Sequence, residues 1–493
     1  MKSYGVGMSS ISNNIANINT LAFKNSMMLY SDNISKTVNS SSSNGITEMS
    51  QLGTGVNVNV NRTMHREGAF MQGSSPTDLA ISGKGFFGVQ QGGVTQYTRA
   101  GNFRFTEEGA LIDPNGFSLL GYRLAGDGSV SGSVEPITLD FDTTSGQGYM
   151  QPKATTSVST AENLGSRTTL TKDPSNQFFS LTSAWNGTQD PPLSEDQYSH
   201  KSSVTVYDSN GTAQKLNTYY DYVGSFNGKH VYQYVTAMDP SVDGSANAGT
   251  EAAGLLAAGT VTFSSDGDME DMTMFTAPVG GDASDMSTWQ AAGFDSAGNP
   301  AFAAAFAGTT GQMISMNLGL EMNGTWTRGY TDAASVNADP EALYTGSPRT
   351  PYANRTKSFS GSSGTVSSNQ NGFAAGYLKE LTVGKDGIMA GRYSNGETMD
   401  LFQIPVYRFI NEEGLRHEGG NRYTATDDSG DAELGLAGTE NYGSLHEATL
   451  EQSNVDLATE FATMIVTQRG FQMNSKVVTT SDQLLQKAVE LKR

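Results

Sequence analysis

One short glycine-rich segment has the spacing of a dinucleotide-binding loop. Gly83, Gly85 and Gly88 follow the pattern G-x-G-x-x-G, in which closely spaced glycines let the backbone approach a pyrophosphate. That chemistry needs a helix directly after the glycines, so that the helix N-terminus faces the phosphates. Here Val89–Tyr97 continues as a predicted strand, interrupted by a Gly-Gly turn. The segment therefore favours a turn between strands over a nucleotide site.

The side chains that most often perform catalysis or bind metals are sparse and scattered. The chain has five histidines and no cysteine, so thiolate chemistry and disulfides are excluded. No two histidines have the spacing of metal ligands, and metal or general-base roles need convergent partners. The acidic runs Asp266–Asp271 and Asp427–Asp431 lack the spacing of a calcium-binding loop. We therefore predict a protein that is not an enzyme and that uses no cofactor and no metal. The histidines are His65, His200, His230, His417 and His446.

The composition restricts the classes of partner. Fifty acidic against 30 basic residues give a formal net charge of −20. Such a chain is unsuited to nucleic acid, because phosphate binding needs a basic face, and to an anionic membrane surface. No apolar run reaches the roughly 18–20 residues of a membrane span. The start of the chain also lacks the apolar core of a secretory signal, so we expect a cytoplasmic protein or one exported without a cleaved leader. We expect no small-molecule substrate.

The strongest pattern is a heptad repeat at the C-terminal end of the sequence. One set of apolar residues recurs at every seventh position, and a second set, offset by four, contains three polar side chains. Polar residues weaken a solitary coiled coil and fix its register. We therefore expect one continuous helix from Asn454 to Arg493, packed against neighbouring copies; a helix in the protein's own core is the alternative. The first set is Leu457, Met464, Phe471, Val478 and Leu485, and the second is Phe461, Gln468, Ser475, Asp482 and Val489.

A shorter helical stripe lies near the N-terminus. Its apolar residues recur at spacings of three and four, which indicates a helix. Asn17, Asn19 and Thr20 favour caps and turns, so we expect the helix to fray near Thr20. The segment Ser31–Ser50 is rich in Ser and Asn, which favours a linker. The stripe consists of Met8, Ile11, Ile15, Ile18 and Ala22.

Between these ends the sequence indicates short strands separated by turns. Val56, Val58 and Val60 alternate with asparagines, the period of a half-buried strand. Turn pairs such as Asn210-Gly211 and Asn395-Gly396 separate similar runs. The sequence therefore predicts a mainly β protein with α-helical termini. The N- and C-terminal helices are expected to pair as a coiled coil, with nested β-rich domains inserted between them.

This order of elements predicts four parts. They are a terminal helical core domain (1–30 plus 445–493), a linker or extended segment (31–75), a β-rich middle domain (76–151 plus 371–444) and one or two outer β-rich domains (152–370).

Four blocks of the sequence have counterparts in one known family. They are Ser12–Lys24, Pro76–Phe87 with Tyr97–Phe103, Asn371–Gly376 with Gly391–Gly396, and Leu450–Ala458 with Thr467–Gln472 and Asn474. In this order they resemble the axial proteins of the bacterial flagellum, the rod and hook protein family. Rod subunits are generally shorter, so the long segment between Pro152 and Asn371 favours a hook protein. The residues that match the family's terminal signatures are Asn14, Ala16, Asn17, Asn19, Thr20, Phe23, Lys24, Gln468, Arg469 and Gly470.

The resemblance implies a structural subunit that polymerises into a flexible hollow tube and transmits motor torque from rod to filament. The terminal helices would form the inner wall, and the outer domains would project outward. The implied partners are copies of the chain itself, the rod, hook-cap and hook–filament junction proteins, and the flagellar type III export apparatus. The implied location is extracellular, at the basal body and hook. The alternatives are a distal rod or other axial subunit, and a secreted β-rich adhesin or glycan-acting enzyme.

Overall fold

The computed structural model divides the chain into two compact units. Unit 1 comprises Met1–Tyr149 and Tyr377–Arg493, and unit 2 comprises Met150–Gly376. The structure describes residues 2–33, 36–41, 47–52, 55–126, 128–142, 146–165, 170, 172–280, 282–320, 324, 326, 329–338 and 352–491, with the backbone alone in 36–41, in 47–52 and at 338.

The elements are numbered here in chain order. The first part of the chain forms α1 (Lys2–Ala16), β1 (Ser26–Asp32), β2 (Lys36–Ser41), β3 (Thr47–Leu52), β4 (Val56–Thr63), β5 (Phe70–Gln72), β6 (Ala80–Ser82), β7 (Phe87–Gln91), β8 (Val94–Thr98), β9 (Arg104–Phe105), β10 (Leu111–Ile112), β11 (Ser118–Leu124), β12 (Val130–Pro136), β13 (Phe141–Asp142) and β14 (Gln147–Met150). The middle part forms β15 (Ser157–Leu164), α2 (Ser180–Ala184), β16 (His200–Tyr207), β17 (Ala213–Phe226), β18 (Lys229–Met238), β19 (Leu255–Phe263), β20 (Met269–Met272), β21 (Phe275–Thr276), β22 (Gln290–Ala291), β23 (Gly293–Phe294), β24 (Pro300–Ala304), β25 (Gln312–Asn317), α3 (Ala333–Ala338), β26 (Lys357–Ser358) and β27 (Gly364–Gln370). The last part forms β28 (Gly376–Val383), β29 (Ile388–Tyr393), β30 (Thr398–Gln403), β31 (Pro405–Arg408), β32 (Arg416–Gly419), β33 (Arg422–Thr424), β34 (Glu433–Leu436), β35 (Ser444–His446), β36 (Thr449–Glu451) and α4 (Leu457–Glu490).

The chain is mainly β and carries a long C-terminal helix, as the sequence predicts. Helix α4 begins after Asp456, whose side chain accepts a hydrogen bond from the backbone N–H of Thr459 at 2.8 Å. This N-cap satisfies one of the free N–H groups of the first turn. Among the described residues, no helix combines the length and the apolarity required to cross a membrane.

The largest sheet of unit 1 joins strands from both ends of the chain. Its main path runs β13-β14-β28-β29-β30-β11-β7-β8-β33-β32. At one junction Tyr122 of β11 lies opposite Gln403 of β30. Phe87, Phe103 and Phe402 are buried in the core beneath this sheet. The segments before and after unit 2 therefore fold together around one core.

The glycine-rich segment Gly83–Gly88 lies in this sheet. Strand β7 follows it and pairs antiparallel with β8, so no helix is present to receive a phosphate. Gly85 has a φ of +129°, and a Cβ atom there would collide with Val406. At Gly88 a Cβ atom would collide with the ring of Tyr407. These two glycines let β31 approach closely, which accounts for them without a ligand.

Unit 2 is built around a seven-stranded sheet that is buried on both faces. Along β18, Tyr232 and Tyr234 enter one hydrophobic cluster, whereas Val231 and Val235 enter another. Alternate residues of a strand point to opposite faces, so each cluster covers one face of the sheet. The central strands of unit 2 are therefore shielded from solvent on both faces.

The N-terminal region differs from the sequence expectation in two details. Helix α1 ends at Ala16, before Thr20, and Ala22 then adopts a φ of +54°. Within the Ser- and Asn-rich region, the described residues lie mainly in strands: β1 pairs with β4 and β2 pairs with β3, both antiparallel. Pairing across a ribbon satisfies backbone N–H and C=O groups whatever the side chains are. Composition alone therefore could not reveal these strands.

Candidate assembly surface

The described part of the chain brings together no group of three or more His, Asp or Glu side chains that could hold a metal ion. The residues with the clearest possible role lie instead on α1, α4 and the segments that join these helices to unit 1.

Helices α1 and α4 run antiparallel and touch along the first part of α4. The Asn14 side-chain amide donates a hydrogen bond to Glu460 Oε1 at 3.0 Å, and both residues are buried. Farther along, Thr467 is also buried. A Cβ atom at Gly470 would lie 2.9 Å from Cε1 of Tyr4, so a larger residue there would displace the Tyr4 ring. Nothing in the sequence distinguishes the α4 residues that contact α1 from the other residues of the heptad pattern.

The asparagines of the N-terminal signature stabilise the end of α1. Asn14 donates to the Ser26 carbonyl at 2.8 Å and accepts from the Ser26 N–H at 2.9 Å, which ties α1 to β1. The Asn17 amide donates to the Asn13 carbonyl at 2.9 Å, and the Thr20 hydroxyl donates to Asn17 Oδ1 at 3.1 Å. Side chains of this type compete with the helical backbone, and they end the helix here.

The other residues predicted from the terminal patterns occupy varied environments. Ile11 and Phe23 are buried; Met8, Ile15, Ile18, Met464 and Gly470 are half-buried; Ala16, Asn19, Gln468 and Arg469 are exposed. Ile18 lies beyond the end of α1 and is therefore not part of a continuous helical face.

Lys24 belongs to a buried group of charges that joins three segments of unit 1. Its Nζ forms an ion pair with Glu451 and donates to the Arg66 carbonyl at 2.8 Å. Arg99 Nη1 lies 3.5 Å from the second carboxylate oxygen of Glu451. Burial lowers the pKa of Lys24, and the Glu451 charge opposes that shift. The N-terminal signature predicts a role for Lys24, whereas no sequence pattern singles out Glu451 or Arg99, although both lie inside the matched blocks.

The predicted heptad face of α4 is largely exposed. We call this face the seam; it comprises Leu457, Phe461, Met464, Phe471, Val478 and Leu485. All of these except Met464 are between 38% and 66% exposed. An α-helix turns about 100° per residue, so the seam lies to one side of the face that meets α1. An exposed row of large apolar side chains indicates an interaction surface.

A second apolar row on α4 was missed by the sequence analysis. We call it the second stripe, and its residues are between 64% and 88% exposed. By the same helical geometry it lies roughly opposite the seam, with α1 between the two. Its residues also recur at spacings of seven and four, which is a heptad pattern. Only the seam, which contains the larger residues Phe461 and Phe471, was recognised from the sequence. The second stripe comprises Val466, Met473, Val477, Leu484 and Leu491.

Three sequence profiles match the chain. Residues 80–153 match the profile described as "Flagellar hook protein FlgE/F/G D1 domain". Residues 163–373 match "Flagellar basal body protein FlaE D2 domain", and residues 446–491 match "Flagellar basal body rod FlgEFG protein C-terminal". Together these matches span most of the chain, in the order expected of a hook protein.

Curated relatives align over nearly the whole length. The chain is 28% identical to the "Flagellar hook protein FlgE" of Borreliella burgdorferi, covering 100% of this chain and 97% of that protein. It is 29% identical to the Escherichia coli protein of the same name, covering 98% of this chain and 95% of that protein. The chain belongs to the flagellar hook protein family. A solved structure of Helicobacter pylori flagellar hook protein FlgE2 is 13% identical, with a TM-score of 0.44 over 76% of this chain and 99% of that one.

Within this hook-family chain, α4 lies inside the profile of the rod and hook C-terminal region. The seam and the second stripe are therefore both features of the segment that rod and hook profiles share. The long D2 match belongs to unit 2.

Proposed function

We propose that this chain, a structural subunit of the flagellar hook, polymerises through both apolar faces of α4 into a flexible hollow tube. It is not an enzyme, and it works outside the cell. The tube would transmit motor torque from rod to filament. The paired terminal helices would form its inner wall as a coiled coil between copies.

The observation that carries this proposal is the exposure of two apolar rows on one helix. Burying a Val, Leu or Phe side chain is worth about 1.5–3 kcal/mol, so rows of five or more such residues favour association strongly. Helix α1 covers neither row. Each α4 therefore needs two further partners, one on the seam and one on the second stripe.

When one face of a subunit binds a different face of the next subunit, the contact is heterologous. Such contacts repeat from copy to copy and build rings or open helical assemblies, not closed dimers. A tube wall made of α4 helices satisfies both rows at once. The polar residues Gln468, Ser475 and Asp482, which belong to the second set of the heptad pattern, then set the register of the packing, as polar core residues do in coiled coils.

The finer list of partners rests on membership of the family. We propose that the rod proteins bind the base of the polymer, that the hook-cap protein binds its growing tip, and that the junction proteins connect it to the filament. We also propose that the type III export apparatus delivers the subunits. A distal rod subunit is the second candidate, because the profile over 446–491 is shared with rod proteins. The D2 match over 163–373 favours the hook.

Point substitutions on α4 test the proposal. In the full-length chain, Phe471→Asp alters the seam, Val477→Asp alters the second stripe, and Gln472→Asp is the matched control between the two rows. The Phe471→Asp and Val477→Asp variants are each expected to raise the critical concentration for polymerisation at least tenfold, equivalent to about 1.4 kcal/mol. The control is expected to leave it unchanged. Sedimentation and electron microscopy of purified polymer measure this.

If either the Phe471→Asp or the Val477→Asp variant polymerises at the same critical concentration as the control, two-sided packing of α4 is contradicted. The shape of the wild-type polymer separates the two axial candidates. Curved tubes are expected of a hook, whereas uniformly straight ones would favour the rod.

A further inference from the structure

A pocket of about 630 Å³ opens on unit 1 near the buried Lys24 group. Five basic side chains line it, against three glutamates. This is a local reversal of charge in a chain whose formal net charge is −20. The basic residues are Arg62, Arg66, Lys84, Arg99 and Arg408.

Some of these cations have partners and some do not. Arg62 forms an ion pair with Glu413, and Arg408 lies over an aromatic ring at 5.5 Å. Arg66 and Lys84 are exposed and form no ion pair among the described residues. The lining therefore carries a net positive charge, because its five basic side chains outnumber Glu67, Glu412 and Glu413.

Three buried nitrogens of the pocket make no hydrogen bond within the described residues. They are Nε of Arg62, Nε of Arg99 and Nδ1 of His65. Buried polar atoms of this kind are uncommon and call for an explanation. Burial, together with the charges of Lys24 and Arg99, lowers the pKa of His65 to about 4, so its ring is neutral near pH 7. The exposed cationic groups of Arg66 and Lys84 suit a carboxylate, with which such groups form short, charge-assisted bonds.

One apolar residue at the pocket favours a protein segment over a free anion. Ile410 is part of the lining and is 81% exposed. A bound loop would cover this side chain and remove apolar surface from water, whereas a small inorganic ion would leave it exposed.

We propose that this pocket receives the acidic turn Glu107–Glu108 of a second copy of the chain, an interaction that rests on the proposed polymerisation. Unit 1 has three pairs of adjacent acidic residues. Glu412–Glu413 line the pocket itself. Asp427–Asp428 flank it on the same copy, where the Asp428 carbonyl accepts a bond from the pocket residue Asn411 at 3.0 Å. Glu107 and Glu108 are exposed at the turn between β9 and β10 and form no ion pair among the described residues.

The contact joins two different surfaces of unit 1, the pocket on one copy and the turn on the next. It is therefore heterologous and repeats along a polymer in the same way as the α4 contacts. It would link the β-rich parts of neighbouring subunits at a charged, salt-sensitive point.

A charge swap in the full-length chain tests this inference. The pocket variant carries Arg66→Glu and Lys84→Glu, the turn variant carries Glu107→Lys and Glu108→Lys, and a third chain carries all four substitutions. Each of the first two is expected to raise the critical concentration for polymerisation roughly tenfold. The four-fold variant is expected to return to within about threefold of wild type, because each pocket then meets a turn of opposite charge.

Matched controls reverse exposed charges elsewhere on unit 1. They are Lys379→Glu with Lys385→Glu, and Glu397→Lys with Asp400→Lys. Thermal melting of each monomer checks its fold. If the pocket variant loses its melting transition, Lys84→Glu alone, at an exposed site, takes its place.

The inference is overturned if the pocket variant polymerises like its control, or if the four-fold variant is no better than the two-fold ones. It is also overturned if two results occur together. Acetate raises the melting temperature of the wild-type monomer but not that of the pocket variant, and the four-fold variant does not recover the wild-type critical concentration for polymerisation. That result would assign the pocket to small anions. If the wild-type chain stays monomeric, the proposed function is contradicted as well. If the wild-type chain polymerises and the pocket variant polymerises equally well, only this contact is contradicted.

Discussion

Three buried charges meet where the two ends of the chain reach the sheet of unit 1. Glu451 Oε1 pairs with Lys24 Nζ and accepts a hydrogen bond from the Gly68 N–H at 2.8 Å. Arg99 approaches the other carboxylate oxygen. The cost of removing such charges from water offsets much of their attraction. The loss of one member, however, leaves the others buried without a counter-charge.

The substitution Glu451→Gln is therefore expected to lower the free energy of unfolding of unit 1 by about 3–5 kcal/mol. Denaturant titration of the full-length chain, followed by a probe in unit 1, measures the change. Glu380→Gln is the matched control, because Glu380 pairs with Arg392 at the surface, where both side chains are more than half exposed. Exposed pairs contribute about 0–1 kcal/mol. A loss at Glu451 no larger than at Glu380 would mean that the buried group does not hold the chain ends.

At the scale of secondary-structure elements, α4 has two halves with different support. Contacts with α1 extend as far as Gly470. The remainder, Phe471–Glu490, continues for roughly 30 Å, with all of its side chains except that of Ser475 exposed. An unsupported helix of this length is marginally stable in water. We therefore regard the second half as a segment that assembly stabilises.

Hydrogen exchange separates the two halves of α4. In the monomer, amides of Phe471–Glu490 are expected to exchange at least tenfold faster than those of Glu460–Thr467, because local opening needs little free energy where few buried contacts exist. In the polymer both halves are expected to be protected. Equal protection of both halves in the monomer would show that α4 needs no neighbours, and would count against the tube wall.

At the scale of the whole molecule, unit 2 is inserted between adjacent strands of unit 1. Strands β14 and β28 are neighbours in the sheet, and the rings of Tyr149 and Tyr377 lie 5.7 Å apart. The ends of unit 1 at the insertion are therefore close enough for a short connection. The division into a helical core, a linker, a middle domain and outer domains remains a proposal.

Excision of residues 150–376, with a short Gly-Ser connection in their place, is expected to leave unit 1 folded and able to polymerise through α4. The excised segment, expressed alone, is expected to fold around its doubly covered sheet. Calorimetry of the two pieces should give two transitions that together reproduce those of the full chain. Failure of the shortened chain to fold would mean that the units depend on one another and are not independent domains.

Local sequence patterns determined the elements whose evidence repeats along the chain. The heptad spacing predicted α4, and alternation with frequent turns predicted a mainly β interior. Spacing of this kind reflects which residues share one face of a helix or strand. It can be recognised without knowledge of what that face meets.

Contacts between distant residues were decided only by the tertiary structure. Lys24 and Glu451 are 427 positions apart, and nothing in either segment alone indicates that the two charges are buried together. The same holds for the glycines that accommodate β31 and for the face of α4 that meets α1. Burial and close approach are properties of two surfaces at once, and a single segment specifies only one of them.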